Sequence, residues 1–393
     1  MVGGLAMATD VLLDPLSSRE DQIPSMAPHD HFRDVLLQAE SAVSESIFAS
    51  HPGWAGPRVE QADTPADALR AAAAVAREGK RASVALAPSE LLGALEALHG
   101  VARGRAPVVV HVIEEGPAGD GAAVLGRDEI PPALEVGAGV LVAWSAQDSV
   151  DLSLAARRAA EDSETPFVVF ADADGPVMSL PGSGLIEKFL GASPGVKASE
   201  GGNRAVAVDA HEVEKKRVER GYAGRVPFAL GAALRDLGEL TGRAVPAIER
   251  YETADAELVV VAVGGAYPAA RRVAERKRGE GKKVGAAGVR SLRPFFAAEA
   301  LKAVGRARGV AVLEPLDVAL SPCGPLAQSF KAAFADALTW APGFPGVGRI
   351  PPIVSVVFAT LGGAVGEAEV EQALEELGTG DRARRLVVFG ADA

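Results

Sequence analysis

Few side chains in this 393-residue sequence combine the types and spacings that do chemistry. Gly119-Asp120-Gly121 matches the opening of a Mg²⁺–diphosphate loop. Such a loop is completed by an Asn downstream, and the one Asn of the sequence, Asn203, is far too distant. His29 and His31 stand two apart without a third ligand, which is poor metal geometry. His111 sits inside an apolar run, where a histidine is more often a satisfied core residue than a ligand. Lys215-Lys216-Arg217 with Arg220 reads as a solvated basic face in an acidic protein. Cys323 is the single cysteine, so no disulfide within the chain, iron–sulfur cluster or cysteine-rich zinc site can be built from it. In a loop after the third strand of the C-terminal unit, it reads as a small buried filler rather than a reactive thiol. Gly264-Gly265-Ala266 offers no GxGxxG pattern and reads as a strand-to-helix turn. His51, Glu60, Ser89 and Glu90 are isolated polar groups that complete no motif of their own.

The elements that would position those groups are better defined. Glu257 to Val263 is an apolar run too continuous for a half-exposed strand and right for one buried on both faces. A basic helix over Ala269–Gly281, a second buried strand over Val284–Val289, a helix over Ala297–Arg308 and a third strand over Gly309–Glu314 follow. That order is a parallel βαβαβ unit. The first half alternates in the same way. A helix spans His31–Ile47, and another, Asp67–Arg77, is started by Asp63 or Thr64 with Pro65 in its first turn. Strands fall at Ala82–Ala87, Ala106–Val112, Val140–Ala143 and Phe167–Phe170. Ser89 is placed to cap a helix over Glu90–Val101, and Ser149–Glu161 is the helix before the last strand. Two α/β units in 393 residues fit the usual size of a single core.

Composition narrows the function classes. A net charge of −12 and a pI near 5.1 argue against a nucleic-acid footprint. No long apolar stretch is free of charges, and Met1–Thr9 lacks the pattern of a signal peptide. A cytoplasmic protein without a membrane span is the expectation.

The strings DAELVVVAVGG, EGKKVGAAGVRSLRPF, EAL and GVAVLEP, in this order, resemble the second domain of the 2-oxoacid:ferredoxin oxidoreductases, pyruvate:ferredoxin oxidoreductase in particular. That domain is transketolase-C-terminal-like, and the resemblance covers roughly Val226 to Leu377. From Leu86 to Asp172 the strings APVVVHV, GAAVLG and VAWSAQDSVDLSLAARRAAEDSETPFVVFADAD resemble the first domain of the same family, which holds the aminopyrimidine end of thiamine diphosphate. The resemblance implies an α/β fold of two doubly wound parallel-sheet domains. An N-terminal tail would occupy 1–30, the pyrimidine-type domain 31–195, an irregular linker 196–250 and the transketolase-C-terminal-like domain 251–393.

It also implies a site, and there the residues depart from the family. A thiamine enzyme needs a carboxylate on N1′ of the aminopyrimidine to promote loss of the C2 proton. In the family this is the Glu of SEAGA at a helix start. An ungapped alignment puts Pro65 there, and Glu60 reaches the place only across an insertion, so Glu60 is either the base or a solvated loop carboxylate. The Arg of HVAAR that receives the 2-oxoacid carboxylate is matched by Glu115, of opposite charge. The family's YPITPS loop falls on Phe48-Ala49-Ser50-His51-Pro52, with His51 in place of the substrate-binding Thr. Its SQG loop falls on Pro88-Ser89-Glu90, making Ser89 and Glu90 the cofactor-side residues. The resemblance implies the α-type subunit of a complex that decarboxylates a 2-oxoacid, forms an acyl-CoA and reduces ferredoxin. Thiamine diphosphate and Mg²⁺ would be held only once a β-type diphosphate-binding subunit completes the site, and iron–sulfur clusters would sit on a partner. A homodimer is the other arrangement. Two readings stand: a working subunit that uses Glu60, and a non-catalytic paralogue that scaffolds such a complex.

Overall fold

A computed structural model of the chain describes residues 28–113, 128–194, 225–316, 322–358, 365–378 and 386–389. Glu115, Gly119–Gly121, Asn203 and the 215–220 basic cluster lie outside them. The first unit begins with helix α1 (Pro28–Val43), followed by β1 (Ser46–Ala49) and β2 (Val59–Gln61). Helix α2 (Pro65–Arg77), β3 (Ala82–Leu86), α3 (Pro88–Arg103) and β4 (Val109–Val112) come next. Then follow a single turn α4 (Ile130–Ala133), β5 (Gly139–Val142), α5 (Ala146–Ser163), β6 (Phe167–Phe170) and α6 (Ser183–Leu190). Helix α7 (Arg225–Thr241) precedes β7 (Ile248–Tyr251), β8 (Leu258–Val263), α8 (Ala266–Gly279) and β9 (Val284–Val289). The chain continues through β10 (Ser291–Arg293), α9 (Ala297–Val304), β11 (Gly309–Glu314) and α10 (Pro325–Leu338). It ends with β12 (Ile353–Phe358), α11 (Glu367–Gly378) and β13 (Leu386–Phe389).

These strands form two sheets, ordered β10-β5-β6-β4-β3-β1-β2 and β13-β12-β11-β8-β9-β7. Both are parallel except at one edge of each, where β10 lies antiparallel to β5 and β7 antiparallel to β9. The long apolar runs are interior as expected: β4 lies between β3 and β6, and β8 between β9 and β11. Side-chain alternation sends Val110 and Val112 to one apolar cluster with α2 and α3, and Val109 to another with α5 and α7. In the second sheet Val259 and Val261 join the first of those clusters, while Val260 and Ala262 pack with α8 and α11. One apolar core therefore runs through both units.

Three expectations are corrected. The first helix ends at Val43, because Ile47 and Phe48 are drawn into the sheet by pairing with Ser83 and Val84. The segment 196–250 is not irregular over its described part. Helix α7 buries Leu230, Ala233, Leu234 and Leu237 against α5, and β7 enters the second sheet. The start of α3 is Pro88 rather than Glu90, and Ser89 does not cap it: the carboxylate of Glu90 turns back to accept the Ala87 amide at 2.8 Å. No described helix is long and apolar enough to cross a membrane.

At the carboxyl end of β11, Glu314 is buried and accepts the amides of Leu326 (2.6 Å) and Ala327 (3.1 Å) at the start of α10. Burial pushes its pKa up to about 7, against the pull of those two amides and of Lys331. The folded value lies above the ordinary 4.5, so the folded chain binds this proton more tightly than the unfolded one. The stability tied to Glu314 is thus complete below about pH 4.5 and is lost as pH rises to about 7, by about 3 kcal/mol in all. Glu314→Gln should flatten that part of a stability-against-pH curve measured by urea unfolding. A second outcome concerns the interior strand β9, where a Cβ on Gly285 would lie 2.8 Å from the Glu252 carbonyl oxygen. Gly285→Ala should lower stability by about 1–3 kcal/mol in the same assay.

Candidate functional site

In open parallel sheets, ligands bind outside the carboxyl ends of the strands. For the first sheet this edge is built by Ser50 and His51 after β1, Ala87 to Glu90 after β3, Ile113 after β4, Trp144 and Ser145 after β5 and Ala171 to Asp174 after β6. The fold brings together two of the segments that sequence singles out. Ser50 donates to Glu90 Oε1 at 2.5 Å, while Glu90 Oε2 accepts the Ala87 amide. Both Glu90 oxygens are thereby committed to closing the gap between the ends of β1 and β3. Ser89 is exposed beside them.

His51 is half-buried; its Nδ1 accepts the Gly53 amide at 3.3 Å, and its ring lies 5.4 Å from that of Trp54. Glu60 is elsewhere. It sits on β2, the outermost strand, paired with Phe48 and exposed to solvent. The helix start that would carry a base has Thr64 as its cap and Pro65 as its first residue. Its acidic side chain, Asp67, closes the cap: Thr64 Oγ1 accepts the Asp67 amide at 3.1 Å and donates to Asp67 Oδ2 at 2.6 Å. The Thr64 hydroxyl, and then Arg70, hold the Asp67 carboxyl below its usual range.

Two buried polar groupings escape a reading by sequence. Glu40 of α1, Ser44, Ser83 of β3, His111 of β4 and Ser153 and Arg157 of α5 meet between the first sheet and its helices. Arg157 Nη2 reaches Ser83 Oγ (2.7 Å), the Ala82 carbonyl (2.9 Å), Ser44 Oγ (3.1 Å) and Glu40 Oε1 (3.2 Å). Burial pushes the Glu40 pKa up, but His111, Arg157 and Ser44 outweigh it and hold the carboxyl far below its usual range. Ser153 Oγ lies 3.3 Å from His111 Nδ1, and Glu40 Oε2 lies 3.2 Å from His111 Nε2, a contact not aligned for a hydrogen bond. The line Ser153–His111–Glu40 has the order of a hydrolytic triad. It is sealed from water, however, and Ser153 already donates to the Ser149 carbonyl at 2.7 Å, so it is a structural brace. The His in an apolar strand was the one visible signal of it.

The second grouping surrounds Asp148 in the first turn of α5. Asp148 Oδ1 accepts from Arg290 Nε at 2.7 Å and Oδ2 from the Trp144 amide at 3.3 Å. Burial raises its pKa to about 6, opposed by Arg290 and by that amide. Ser145 caps this helix, its Oγ accepting the Asp148 amide at 3.2 Å. The partner of Asp148, Arg290, is 142 residues away and leaves no local trace.

The aminopyrimidine requirement can be tested against these residues. A carboxylate for N1′ has to be sheltered and have an oxygen to offer. Among the described residues at this edge, Glu90 and Asp148 are sheltered but committed, Asp172 Oδ1 accepts the Asp174 amide at 2.8 Å, and Glu60 is exposed. None of these carboxylates is both sheltered and without a partner in the fold. Nor, among the described residues, is there a group of three or more His, Cys, Asp or Glu able to hold a metal.

Comparison with known proteins covers both units. Residues 50–176 match the family model described as pyruvate flavodoxin/ferredoxin oxidoreductase, thiamine diphosphate-binding, and residues 256–344 match pyruvate:ferredoxin oxidoreductase core domain II. A pyruvate synthase subunit PorA of Pyrococcus furiosus is 26% identical over 183 residues, 43% of this chain and 46% of the relative. The subunit of that name in Methanothermobacter thermautotrophicus is 38% identical over 104 residues, 26% of this chain and 27% of the relative. A probable pyruvate-flavodoxin oxidoreductase of Escherichia coli is 24% identical over 75% of this chain, which is 27% of that protein. In each of these three alignments the chain spans less than half of the relative's length. The fold resembles that of a 2-oxoglutarate:ferredoxin oxidoreductase from Magnetococcus marinus, with a TM-score of 0.60 at 15% identity over 89% of this chain and 64% of the other.

The Ser50–Glu90 bond gives the site its own measurable outcome. Ser50→Ala should cost about 1–2 kcal/mol of stability in urea unfolding, since a carboxylate acceptor loses a charge-assisted partner.

Proposed function

Since the chain belongs, through both of its units, to the 2-oxoacid:ferredoxin oxidoreductase family, as an α-type subunit, we propose that it is the non-catalytic member of its pair. In this reading residues 31–195 supply the pyrimidine-type unit and 251–393 the transketolase-C-terminal-like unit. They contribute shape and assembly, and the chemistry of 2-oxoacid oxidation to an acyl-CoA falls to partners. The observation that carries it is the state of the acids at the first sheet's carboxyl edge: Glu90 is tied to Ser50 and Ala87, and the helix start is Thr64-Pro65. A framework retained around a site whose groups have turned to structural duty is what loss of chemistry on a kept fold leaves behind.

The partners follow from what the resemblance requires. A β-type subunit would bind the diphosphate and Mg²⁺, and an iron–sulfur subunit would pass electrons to ferredoxin, because one buried cysteine, Cys323, cannot hold a cluster. A homodimer is the other assembly, and the cytoplasm is the compartment proposed. His51 and Glu115 on the substrate side, and Ser89 and Glu90 on the cofactor side, are assigned no catalytic step.

One observation favours the working-subunit reading: Glu60 is exposed on an outer strand, where a partner subunit could cover it. The decisive variant is therefore Glu60→Ala in the assembled complex. The expected result is unchanged 2-oxoacid oxidation. Loss of activity with the complex still assembled would overturn the non-catalytic reading, since a carboxylate assisting ylid formation lowers the barrier by several kcal/mol. The chain alone should show no heat of binding with thiamine diphosphate or pyruvate in calorimetry. Light scattering at micromolar concentration should show it associated, either with itself or with a β-type subunit.

A further inference from the structure

Arg290 belongs to both sheets. It follows β9 and precedes β10, and its own main chain makes the transfer. Its amide donates to the Ala247 carbonyl at 2.9 Å, just before β7 of the second sheet. Its carbonyl accepts the Val142 amide at 2.8 Å, at the end of β5 in the first. The next three residues then lie antiparallel against β5, with Ser291 opposite Leu141 and Arg293 opposite Val140. The edge of the first sheet is thus closed by chain from the second unit.

The side chain repeats the division. Nε donates to Asp148 of α5 at 2.7 Å, while Nη1 reaches the Pro246 carbonyl and Glu249 Oε2, each at 2.9 Å. The guanidinium lies 3.6 Å from the centre of the Trp144 ring, and Trp144 in turn packs 4.5 Å from Tyr267 of α8. First-unit and second-unit groups therefore alternate through the stack Tyr267–Trp144–Arg290, and Arg290 is 4% exposed. Close by, Arg243, from the turn after α7, holds Asp151 at 2.7 Å and Ser179 at 2.9 Å. The Gly264 turn lies against Val142 and the Ala143 carbonyl.

We propose that the two units are one cooperative folding unit pinned at Arg290, and that this residue positions the Trp144–Ser145 loop of the first sheet against the Gly264–Gly265 turn of the second. The first sheet is not complete without the second unit, and Arg290 is where removing one side chain disturbs both units. The inference does not depend on whether the chain is catalytic.

Native-state hydrogen exchange on the full chain tests it, read at the interior amides of β4 and of β8. These strands lie on opposite sides of the junction, so a role limited to local packing would leave at least one of them untouched. In the unaltered chain both sets should exchange with the same opening free energy. Arg290→Ala strands the buried Asp148 carboxylate and should lower protection in both strands by the same factor, about a hundredfold. Arg290→Lys keeps the charge but loses the fork and the guanidinium over the Trp144 ring. It should lower both by an equal but smaller factor, and it serves if the alanine variant does not fold. Different opening free energies for β4 and β8, or a loss confined to one of them in either variant, would overturn the proposal.

Discussion

A sheet buried on both faces leaves no polar main-chain group to water and asks its interior strands for apolar side chains at nearly every position. This constraint shapes the whole molecule. Val108 to Val112 and Val259 to Val263 admit one polar side chain between them, His111, and the fold supplies it with Ser153 and Glu40. The cost of bringing Arg157 into the same layer is offset by giving Nη2 four oxygen acceptors, although Nε is left without a partner. Edges obey the same constraint differently: each sheet has one antiparallel edge strand, and one of these is borrowed from the other unit.

The functional reading rests on a contrast between frame and rim. Interior strands and the helices on them keep the residue types that their places require. At the carboxyl edge, the polar groups are spent on closing turns: Glu90 on Ser50 and an amide, Asp67 on a helix cap, Asp148 on a guanidinium. Each of these commitments is locally favourable, and each ties its carboxylate to a partner within the fold.

What could be read from sequence follows the range of the interactions involved. Continuous apolar runs and their spacing are local, so β8, β9, β11 and the order of elements around them were legible. So was the Thr64 cap with Pro65 after it. The start of β1 was not, because Ile47 and Phe48 continue the period of the helix before them and only pairing with β3 decides their state. Helix α7 was hidden in a stretch whose preceding residues are charged and glycine-rich, although Leu230, Leu234 and Leu237 carry its spacing. For the site, sequence brought out Ser89 and Glu90 but not the Ser50 hydroxyl that engages Glu90 from 40 residues away. The Arg290–Asp148 pair was out of reach for the same reason.

The strand that crosses between the sheets also bears on how such a chain can be divided or reassembled. Large multidomain enzymes are often treated as strings of cassettes, each free to move to another gene or to become a separate polypeptide. Here a cut between the units after residue 250 would leave β5 with an open flank and send β10 away with the other product. An uncapped parallel edge pairs readily with whatever strand it meets. Separating the two units therefore exposes a sheet edge that the intact chain keeps covered.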